Sequence, residues 1–470
     1  MNHTTPSLSD RLREHARSLG FDLVGVARVR ASEHGEFYRR WLAAGRHGVM
    51  AYLAREDAVA ARLDPGEAWP GVVSAVVVGM NYYQPDDDVA GGDVVVPTGP
   101  AAATPAATGV PRDGTTVADA CGERGGRAEG GSDAAAGPSR GIISRYARGR
   151  DYHKVIKKKL LRLLEWLEGE VGRPLPLARA YVDTGPVFER ELGRRAGLGW
   201  QGQNTMLINP RRGSFFFLGV ILVELELEYD APFTANRCGS CSRCVEACPT
   251  GALLGWDEDG APVIDATRCI SYLTIEQKGP IPRELRPAIG NRILGCDICQ
   301  EVCPWNGEKF LLGGQGSGVG GQGLGGWGSA IGIRGLGGEG EGKLVAGDGW
   351  GAFPGTGAPR LVALMEMALD SDAWDEFSRG KALRRAGRAG FARNVAVALG
   401  NWLGSLDEPP GEAVAVLVRG LGDVEPLVRG HAAWALGCVS WDEARRALEA
   451  RLQVECDPFV REEIALALEN

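Results

Sequence analysis

Eight cysteines in the middle of the chain have the spacing that iron–sulfur proteins use. Four of them follow the pattern C-x2-C-x2-C-x3-C-P, three follow C-x2-C-x3-C-P, and one lies between the two runs. In the first pattern, three closely spaced cysteines wrap one [4Fe–4S] cube, and the cysteine before the proline ligates a second cube. The spacing therefore predicts two [4Fe–4S] clusters that exchange one cysteine in each direction.

This exchange assigns each of the eight cysteines to one cluster. The predicted ligands of cluster 1 are Cys238, Cys241, Cys244 and Cys303, and those of cluster 2 are Cys248, Cys269, Cys296 and Cys299. Structural zinc is the alternative, because C-x2-C pairs also build zinc sites. Eight thiolates in two proline-terminated runs favour the clusters over zinc.

Two such clusters carry single electrons and perform no organic chemistry by themselves. A simple electron carrier would have no use for the long segment that precedes Cys238. We therefore expect that segment to hold a second redox centre or a substrate site. A ferredoxin-type carrier that offers a helical scaffold to a protein partner is the non-enzymatic alternative.

Length and charge limit the class of protein further. The chain has 470 residues and a net charge of −8, which predicts two or three domains and only local basic patches for any polyanion. The N-terminus lacks the apolar core of a signal peptide. The longest apolar run, residues 215–223, is too short to cross a bilayer and reads as a buried strand. We expect a cytoplasmic monomer without a membrane partner.

The elements that must position the clusters fall into three domains. Alternating helices and strands predict an α/β domain at 1–232, interrupted by a disordered insertion at 86–140. A ferredoxin-like domain for two clusters follows at 233–311. A flexible glycine-rich linker at 312–357 then leads to a helical domain at 358–470.

The helical domain contains three similar segments, which start at Ala392, Val428 and Val460. Their spacing is typical of paired-helix repeats of the HEAT kind, in which each repeat packs on its neighbour. The predicted fold class is therefore multidomain α+β, with an N-terminal α/β domain, a ferredoxin-like double-cluster domain and C-terminal HEAT-like repeats.

Five long motifs resemble the epoxyqueuosine reductase family. They are "SRYARGRDYHKVIKKKL", "YVDTGPVFERELGRRAGLGWQGQNTMLIN", "GSFFFLG", "CISYLTIEQKGPIPRELRPAIGNRILGCDICQEVCPWN" and "RNVAVALGN". The resemblance implies an enzyme that reduces the epoxide of epoxyqueuosine, in the wobble position of tRNA, to queuosine. It also implies two [4Fe–4S] clusters, a cobalamin in the N-terminal domain, an external electron donor and a mechanistic kinship with reductive dehalogenases.

The resemblance further implies roles for individual residues. Asp183 matches the family's proton donor. The predicted cobalamin-binding residues are Arg62, Tyr146, Asp183, Asn204, Thr205, Ser271 and Asp297. Gln203 stands where the family usually has a lysine, so one positive charge is missing. The chain has no D-x-H-x-x-G motif, so His153 is not expected to ligate cobalt, and a base-off cobalamin held by backbone and polar contacts is predicted.

The acid role of Asp183 conflicts with the local structure that the sequence predicts. A strand is expected to end at Asp183, and a helix is expected to begin with Thr184 as its cap and Pro186 in its first turn. A carboxylate at a helix N-terminus has a lowered pKa and is a poor acid. Burial against the corrin would have to raise that pKa.

A basic run in the repeat domain is predicted to contact tRNA. Residues 378–393 contain no acid, and such a run can neutralise phosphates on an otherwise acidic protein. The residues predicted to bind tRNA are Arg384, Arg385, Arg388 and Arg393. A second basic run, "KVIKKKLLR", is a further candidate. The enzymatic alternative is a reductive dehalogenase-like protein that acts on a small molecule and has no need for the repeats.

Overall fold

The structure is a computed structural model that describes residues 6–83, 139–307 and 359–469. The predicted insertion at 86–140, except for its last two residues, and the predicted linker at 312–357 lie outside the described residues. Among the helices of the described segments, none is long and apolar enough to cross a membrane.

The described segments contain short strands and a larger number of helices. The strands are β1 (Leu23–Arg28), β2 (Ser74–Asn81), β3 (Ile142–Ile143), β4 (Arg179–Tyr181), β5 (Trp200–Gln201), β6 (Leu207–Ile208), β7 (Phe216–Val223), β8 (Leu253–Trp256), β9 (Pro262–Ile264) and β10 (Arg292–Leu294). The helices of the first two domains are α1 (Leu8–Ser18), α2 (Gly35–Ala43), α3 (Glu56–Leu63), α4 (Pro65–Ala68), α5 (Tyr152–Val171), α6 (Glu189–Arg195), α7 (Arg243–Glu246), α8 (Ile270–Ile275), α9 (Arg286–Ile289) and α10 (Ile298–Glu301). The C-terminal helices are α11 (Leu361–Leu369), α12 (Ser371–Ser378), α13 (Gly387–Leu403), α14 (Gly411–Gly420), α15 (Pro426–Gly437), α16 (Asp442–Val454) and α17 (Pro458–Leu468).

A four-stranded sheet with the order β1-β2-β7-β4 forms the centre of the N-terminal domain. Every neighbouring pair in it is antiparallel. The α/β prediction for this domain is therefore corrected to α+β, since an α/β fold requires parallel strands joined by crossover helices. The two central strands, β2 and β7, are buried along almost their whole length, as their β-branched and aromatic residues predict.

Helices cover both faces of this sheet. On one face, α1 and α5 pack through an apolar stripe that includes Leu12, Ile156 and Leu160. On the other face, α6 packs through Leu192 against Val77 and the rest of a smaller core. The sheet and α5 thus form a rigid base for the loops that follow β4 and precede α5, where the predicted catalytic residues lie.

The double-cluster domain is tied to the N-terminal domain by main-chain pairing. Strand β10 pairs in parallel with β3, and Asp297, just after β10, accepts a hydrogen bond of 2.6 Å from Ser144. The segment between α2 and α3 also reaches across, where the main-chain oxygen of Arg46 accepts from Ala266 at 3.0 Å. Cluster-binding loops are therefore fixed relative to the sheet.

The C-terminal helices form the predicted repeats. Ala392, Val428 and Val460 lie in α13, α15 and α17, which pack side by side with fully buried apolar residues. Each repeat buries its apolar face against the next, as a helical solenoid requires.

The first of these helices also attaches the repeats to the double-cluster domain, through Arg393. Its guanidinium donates to main-chain oxygens of α8 and the loop after it, those of Leu273, Gln277 and Gly279, each at 2.7 Å. The side chain is 1 % exposed. The prediction that Arg393 contacts tRNA is therefore wrong, because the charge is buried in a domain interface and its donors are used there.

Candidate active site

A cavity of about 410 Å³ lies where the three domains meet. The N-terminal domain contributes the loop after β4 and the start of α5, the double-cluster domain contributes its cysteines, and the repeats contribute Ala382 and Arg385. Of the residues predicted from the sequence, the cavity brings together Tyr146, Asp183, Asn204, Ser271 and Asp297. Arg62 is not among its lining residues; it is buried and donates to the main-chain oxygen of Ala58 at 3.2 Å.

The four cysteines predicted for cluster 2 all line this cavity: Cys248, Cys269, Cys296 and Cys299. Burial raises the pKa of Cys299 well above its usual value, and the other three thiols of this set act in the same direction. Thiols held this close and out of water are poor acids until a metal stabilises their thiolates. This arrangement is what a cluster site facing the cavity requires.

The remaining four cysteines lie together beyond the cavity. Burial raises the pKa of Cys244 to about 11, with contributions from Cys303, Cys238 and Cys241. Burial likewise raises the pKa of Cys303 to about 11, with contributions from Cys238 and Cys241. The proximity of Cys303 to the first run supports the crossed ligand assignment.

Asp183 lies in a strained turn that points into the cavity. Strand β4 ends at Tyr181, and α6 begins only at Glu189, so the predicted strand end at Asp183 and the predicted helix cap at Thr184 are both wrong. Asp183 has a φ of 60°, and the N–H of Thr184 donates across it to the oxygen of Val182 at 2.6 Å. A turn with this left-handed central residue is rare and unfavourable.

Three side chains contact the carboxylate of Asp183. Tyr152 donates to Oδ2 at 3.1 Å, and Nε2 of His153 lies 3.2 Å from the same atom. Arg385 of the repeat domain lies 3.8 Å away. The other ring nitrogen of His153, Nδ1, is 2.8 Å from Oδ1 of Asp151. A histidine thus joins two carboxylates at the cavity wall.

These contacts decide where the proton of the group resides. Burial acts to raise the pKa of Asp183, but the hydrogen bond from His153 and the charge of Arg385 outweigh it and lower that pKa. Burial acts to lower the pKa of His153, but hydrogen bonds to Asp151 and Asp183 raise it. The lowered pKa of Asp183 was expected from a helix N-terminus; the actual cause is the ion pair with His153 and Arg385. The proton therefore rests on His153.

A second strained residue, Thr205, was predicted to bind the cofactor, but it is buried and is not among the residues that line the cavity. Among the described residues, the non-glycine residues with positive φ are Asp183 and Thr205, with φ values of 60° and 63°. Glu189 and Arg190, two consecutive residues at the start of α6, form hydrogen bonds to the main chain of Asp183 and Thr205, respectively. Oε1 of Glu189 accepts from the N–H of Asp183 at 2.7 Å, and Nη1 of Arg190 donates to the oxygen of Thr205 at 2.6 Å. Each left-handed residue costs about 1–3 kcal/mol, part of which its hydrogen bond can offset.

Other predicted residues connect the cofactor loop to the cysteines. Nδ2 of Asn204 donates to the oxygen of Cys299 at 3.1 Å. With its side-chain amide in the orientation that satisfies both neighbours, Gln203 donates to the oxygen of Cys241 at 2.8 Å and accepts from the indole N–H of Trp256 at 3.2 Å. A neutral amide is thus accommodated where the resemblance led us to expect a lysine, and its partners are a donor and an acceptor of the double-cluster domain.

A cavity walled by a cluster-type cysteine set and a histidine–carboxylate pair defines an iron–sulfur oxidoreductase. Three family models match the chain: a 4Fe-4S double cluster binding domain at residues 237–306, epoxyqueuosine reductase QueG (DUF1730) at residues 127–184, and HEAT repeats at residues 378–469. The first match decides between iron–sulfur clusters and zinc in favour of two [4Fe–4S] clusters.

Whole-chain comparisons extend this result. The epoxyqueuosine reductase of Pseudomonas aeruginosa is 35 % identical over 432 residues, covering 91 % of this chain and 94 % of the relative. That of Burkholderia pseudomallei is 36 % identical over 450 residues, covering 91 % of each. The chain belongs to the epoxyqueuosine reductase family and is an oxidoreductase of that kind.

Solved structures agree with this assignment. A selenomethionine-labelled epoxyqueuosine reductase matches with a TM-score of 0.70 at 25 % identity, covering 98 % of both chains. An epoxyqueuosine reductase with an epoxyqueuosine-modified tRNA-Tyr stem loop matches with a TM-score of 0.69, also at 25 % identity and covering 98 % of both chains. A third, from Bacillus subtilis, has an aspartate catalytic loop swung out of the active site; it has a TM-score of 0.69, 25 % identity and 98 % coverage of both chains.

Proposed function

We propose that this enzyme reduces the epoxide of epoxyqueuosine in the wobble position of tRNA, with cobalamin in the cavity and Asp183 with His153 as the proton source. The observation that carries this proposal is the cavity itself, in which the Asp183 carboxylate and the cluster 2 cysteines share one space. The reaction consumes two electrons and two protons, releases the epoxide oxygen as water and leaves an alkene. The cavity contains the cysteines through which electrons would arrive and the histidine–carboxylate group from which protons would come.

The residues of the cavity fit a base-off cobalamin. Both ring nitrogens of His153 are engaged by carboxylates, so this histidine has no free nitrogen for cobalt. Asn204 and Ser271 would hold the corrin edge with polar contacts, beside the aromatic side chains of Tyr146 and Tyr152. When bound there, cobalamin supplies a strongly reduced cobalt that is nucleophilic towards the epoxide carbon.

The electron path follows from the two cysteine groups. None of Cys238, Cys241, Cys244 and Cys303 lines the cavity, whereas all four cysteines of the second group do. With clusters bound, the first group would accept electrons from an external donor, and the second group would deliver them to the cavity one at a time.

The proton path runs along Asp151, His153 and Asp183. The proton held on His153 reaches the opening epoxide oxygen through the Asp183 carboxylate, which lies at the tip of the loop. Asp151 keeps the imidazole oriented and stabilises its charge, as a carboxylate does for other catalytic histidines.

Anaerobic reconstitution tests the proposed function. The purified protein, loaded with iron, sulfide and cobalamin and supplied with a strong reductant, should convert epoxyqueuosine to queuosine in tRNA, as measured by mass analysis of the nucleosides. Stoichiometric cobalamin would argue against a simple electron carrier. Failure to form queuosine, together with turnover of an organohalide, would favour the dehalogenase-like alternative.

The tRNA surface that we propose spans two domains. The predicted contacts Arg384 and Arg388 are ion-paired, at 2.5 Å to Asp375 and at 2.8 Å to Asp423, and Arg385 faces the cavity. The segment just before the second basic run reaches the first one, however, since Arg150 forms a β-bridge with Lys381. Arg379 is also ion-paired with Asp375, at 2.8 Å. The exposed cations at this junction that have no ion pair among the described residues are Arg150, Lys154 and Lys158. We propose that phosphates flanking the wobble base lie on this junction.

Charge reversal on the α5 side tests that surface. The double variant Lys154→Glu/Lys158→Glu should weaken tRNA binding about tenfold or more and reduce its salt dependence, because phosphate contacts release counterions. Binding is measured by fluorescence anisotropy at several salt concentrations. Arg446→Glu on α16 is the matched control and should bind normally. Equal binding by the double variant and the wild type would remove α5 from the tRNA surface.

A positioning role for Glu189 can be tested through the strain at Asp183. Glu189→Ala removes the acceptor for the Asp183 N–H and should lower kcat by about 10²-fold, since small misplacements of a catalytic group have effects of that size. The KM for tRNA should change little, and amide exchange in residues 181–188 should accelerate. Glu189→Gln keeps an acceptor oxygen and should retain most activity.

The control for this pair is Glu165→Ala, an exposed position on α5 that should leave both readings unchanged. The neutral glutamine is a fair substitute because burial and the charge of Asp183 raise the pKa of Glu189 to about 8, so the native side chain is largely protonated at neutral pH. If Gln is as damaging as Ala, the acceptor oxygen is not what matters.

A further inference from the structure

The surface around the first cysteine group carries a set of arginines that the reaction does not use. Arg237 directly precedes this group in the chain, Arg243 lies between Cys241 and Cys244, and both are exposed. Arg211 and Arg212 lie in the loop before β7, which packs beside Cys303 because the N–H of Ser214 donates to Asn306 at 2.7 Å. We call Arg211, Arg212, Arg237 and Arg243 the cationic face.

The charges of the cationic face are not neutralised within the described part of the chain. None of its four guanidinium groups has an ion pair or a hydrogen bond among the described residues. Neither 206–214 nor 231–245 contains an Asp or Glu. The next acid along the chain, Glu246, accepts a hydrogen bond from Ser242. On a protein with a net charge of −8, this is a local positive field.

Aromatic rings support one of these arginines. The guanidinium carbon of Arg237 lies 5.5 Å from the ring centre of Phe233 and 6.0 Å from that of Trp305. Trp305 follows Cys303 by two residues and packs edge-on against Trp200 at 5.0 Å. An arginine over aromatic rings combines charge with apolar area, which is the composition of interface hot spots.

The position of the cationic face decides what it can serve. It lies beside the cysteines of cluster 1, which do not line the cavity, whereas cluster 2 is turned towards the cavity. None of its arginines lines the cavity. A carrier docked on this face would therefore meet cluster 1 first, and a substrate base in the cavity would not touch the face.

We propose that the cationic face docks a small acidic one-electron carrier protein, which delivers electrons to cluster 1. The proposal rests on the cluster binding in the proposed function. In each encounter, a carrier such as flavodoxin hydroquinone is oxidised to its semiquinone and one cluster is reduced by one electron; two encounters supply one epoxide reduction. Complementary charge accelerates such encounters by about 10- to 10³-fold and makes them sensitive to salt.

The experiment measures cluster reduction directly, without cobalamin or tRNA. Reconstituted protein is mixed anaerobically with flavodoxin hydroquinone in a stopped-flow instrument, and bleaching of the cluster absorption is followed at several ionic strengths. The variant Arg237→Glu/Arg243→Glu should be reduced at least tenfold more slowly at low salt, with a flattened salt dependence. Arg237→Gln/Arg243→Gln should be intermediate, and dithionite should reduce all three proteins at equal rates.

Three outcomes would overturn the proposal. One is reduction of the charge-reversed protein by flavodoxin at the wild-type rate. Another is an equal slowing with dithionite, which would locate the defect in the cluster. The third is loss of tRNA binding with normal flavodoxin reduction, which would make the face an RNA surface. Arg446→Glu is the control. Because the readout needs only clusters, a protein that forms no queuosine can still pass this test.

Discussion

An Asp183→Asn enzyme should bind its cofactors and its tRNA normally and form queuosine at least about 10²-fold more slowly, which is the usual contribution of a general acid. Asparagine preserves the shape of the side chain and can still accept from Tyr152, but it cannot pass on a proton. The effect should appear in kcat, with little change in KM, because the proton is needed only as the epoxide opens.

The pH dependence should identify His153 as the group that stores this proton. The pKa of His153 is raised above its ordinary value of 6.5, so the charged imidazole is fully present below 6.5 and is lost as the pH rises through the raised value. The pKa of Asp183 is lowered from 3.8, so its carboxylate persists until the pH falls through that lower value. The ion pair, with its contributions to activity and stability, is intact between these limits.

Turnover of the wild type should therefore decline on the alkaline side, as His153 loses its proton. In Asp183→Asn the decline should begin at a lower pH, because one of the two carboxylates that raise the pKa of His153 is gone. A profile of kcat against pH checks both statements. Undiminished turnover by Asp183→Asn with cobalamin bound would remove this residue from the proton path.

A Cys299→Ala enzyme should lose turnover completely while keeping its fold. Cys299 lines the cavity and its oxygen accepts from Asn204, so its loss removes a ligand of the cluster nearest to the cofactor. Iron should fall from about eight to about four atoms per chain, since each cube holds four. The remaining signal in electron paramagnetic resonance should belong to cluster 1.

The exposed Cys456→Ala provides the comparison, because this residue lies outside both cysteine runs. It should retain all iron and all activity. Cys299→Ser guards against a simple packing defect, since its side chain is close in size to the native one and should also lose cluster 2. Full iron content in both Cys299 variants would contradict the ligand assignment.

The sequence predicted the parts of the site that local spacing encodes. Cysteine runs determine which thiols share a metal, and the repeat segments at Ala392, Val428 and Val460 have a period that only stacked helices explain. The left-handed turn at Asp183 was not predicted, because Thr184 and Pro186 are also typical of a helix start. The turn depends on Gly185 packing against Tyr181, where an added Cβ would lie 2.4 Å from the ring.

The sequence also did not predict the contacts between domains. A basic run looks the same whether its arginines meet water, a carboxylate or a carbonyl group. Arg393 is buried in an interface, Arg388 pairs with Asp423, and Arg385 enters the cavity. No sequence pattern identified Glu189 as a functional residue, because its role depends on a hydrogen bond to the main chain of Asp183. Only the assembled domains distinguish these cases.

The repeats form part of the cavity wall, so a mutation that truncates the chain before them should affect the active site. A premature stop codon before Ala382 would leave all eight cluster cysteines and the whole Asp151–His153–Asp183 group in the product, yet it would remove Ala382 and Arg385 from the cavity. It would also expose the main-chain oxygens that Arg393 occupies. Such an allele should behave as a null and not as a weak binder of tRNA, so the codons from Ala382 onward are as indispensable as the codons for the cysteines.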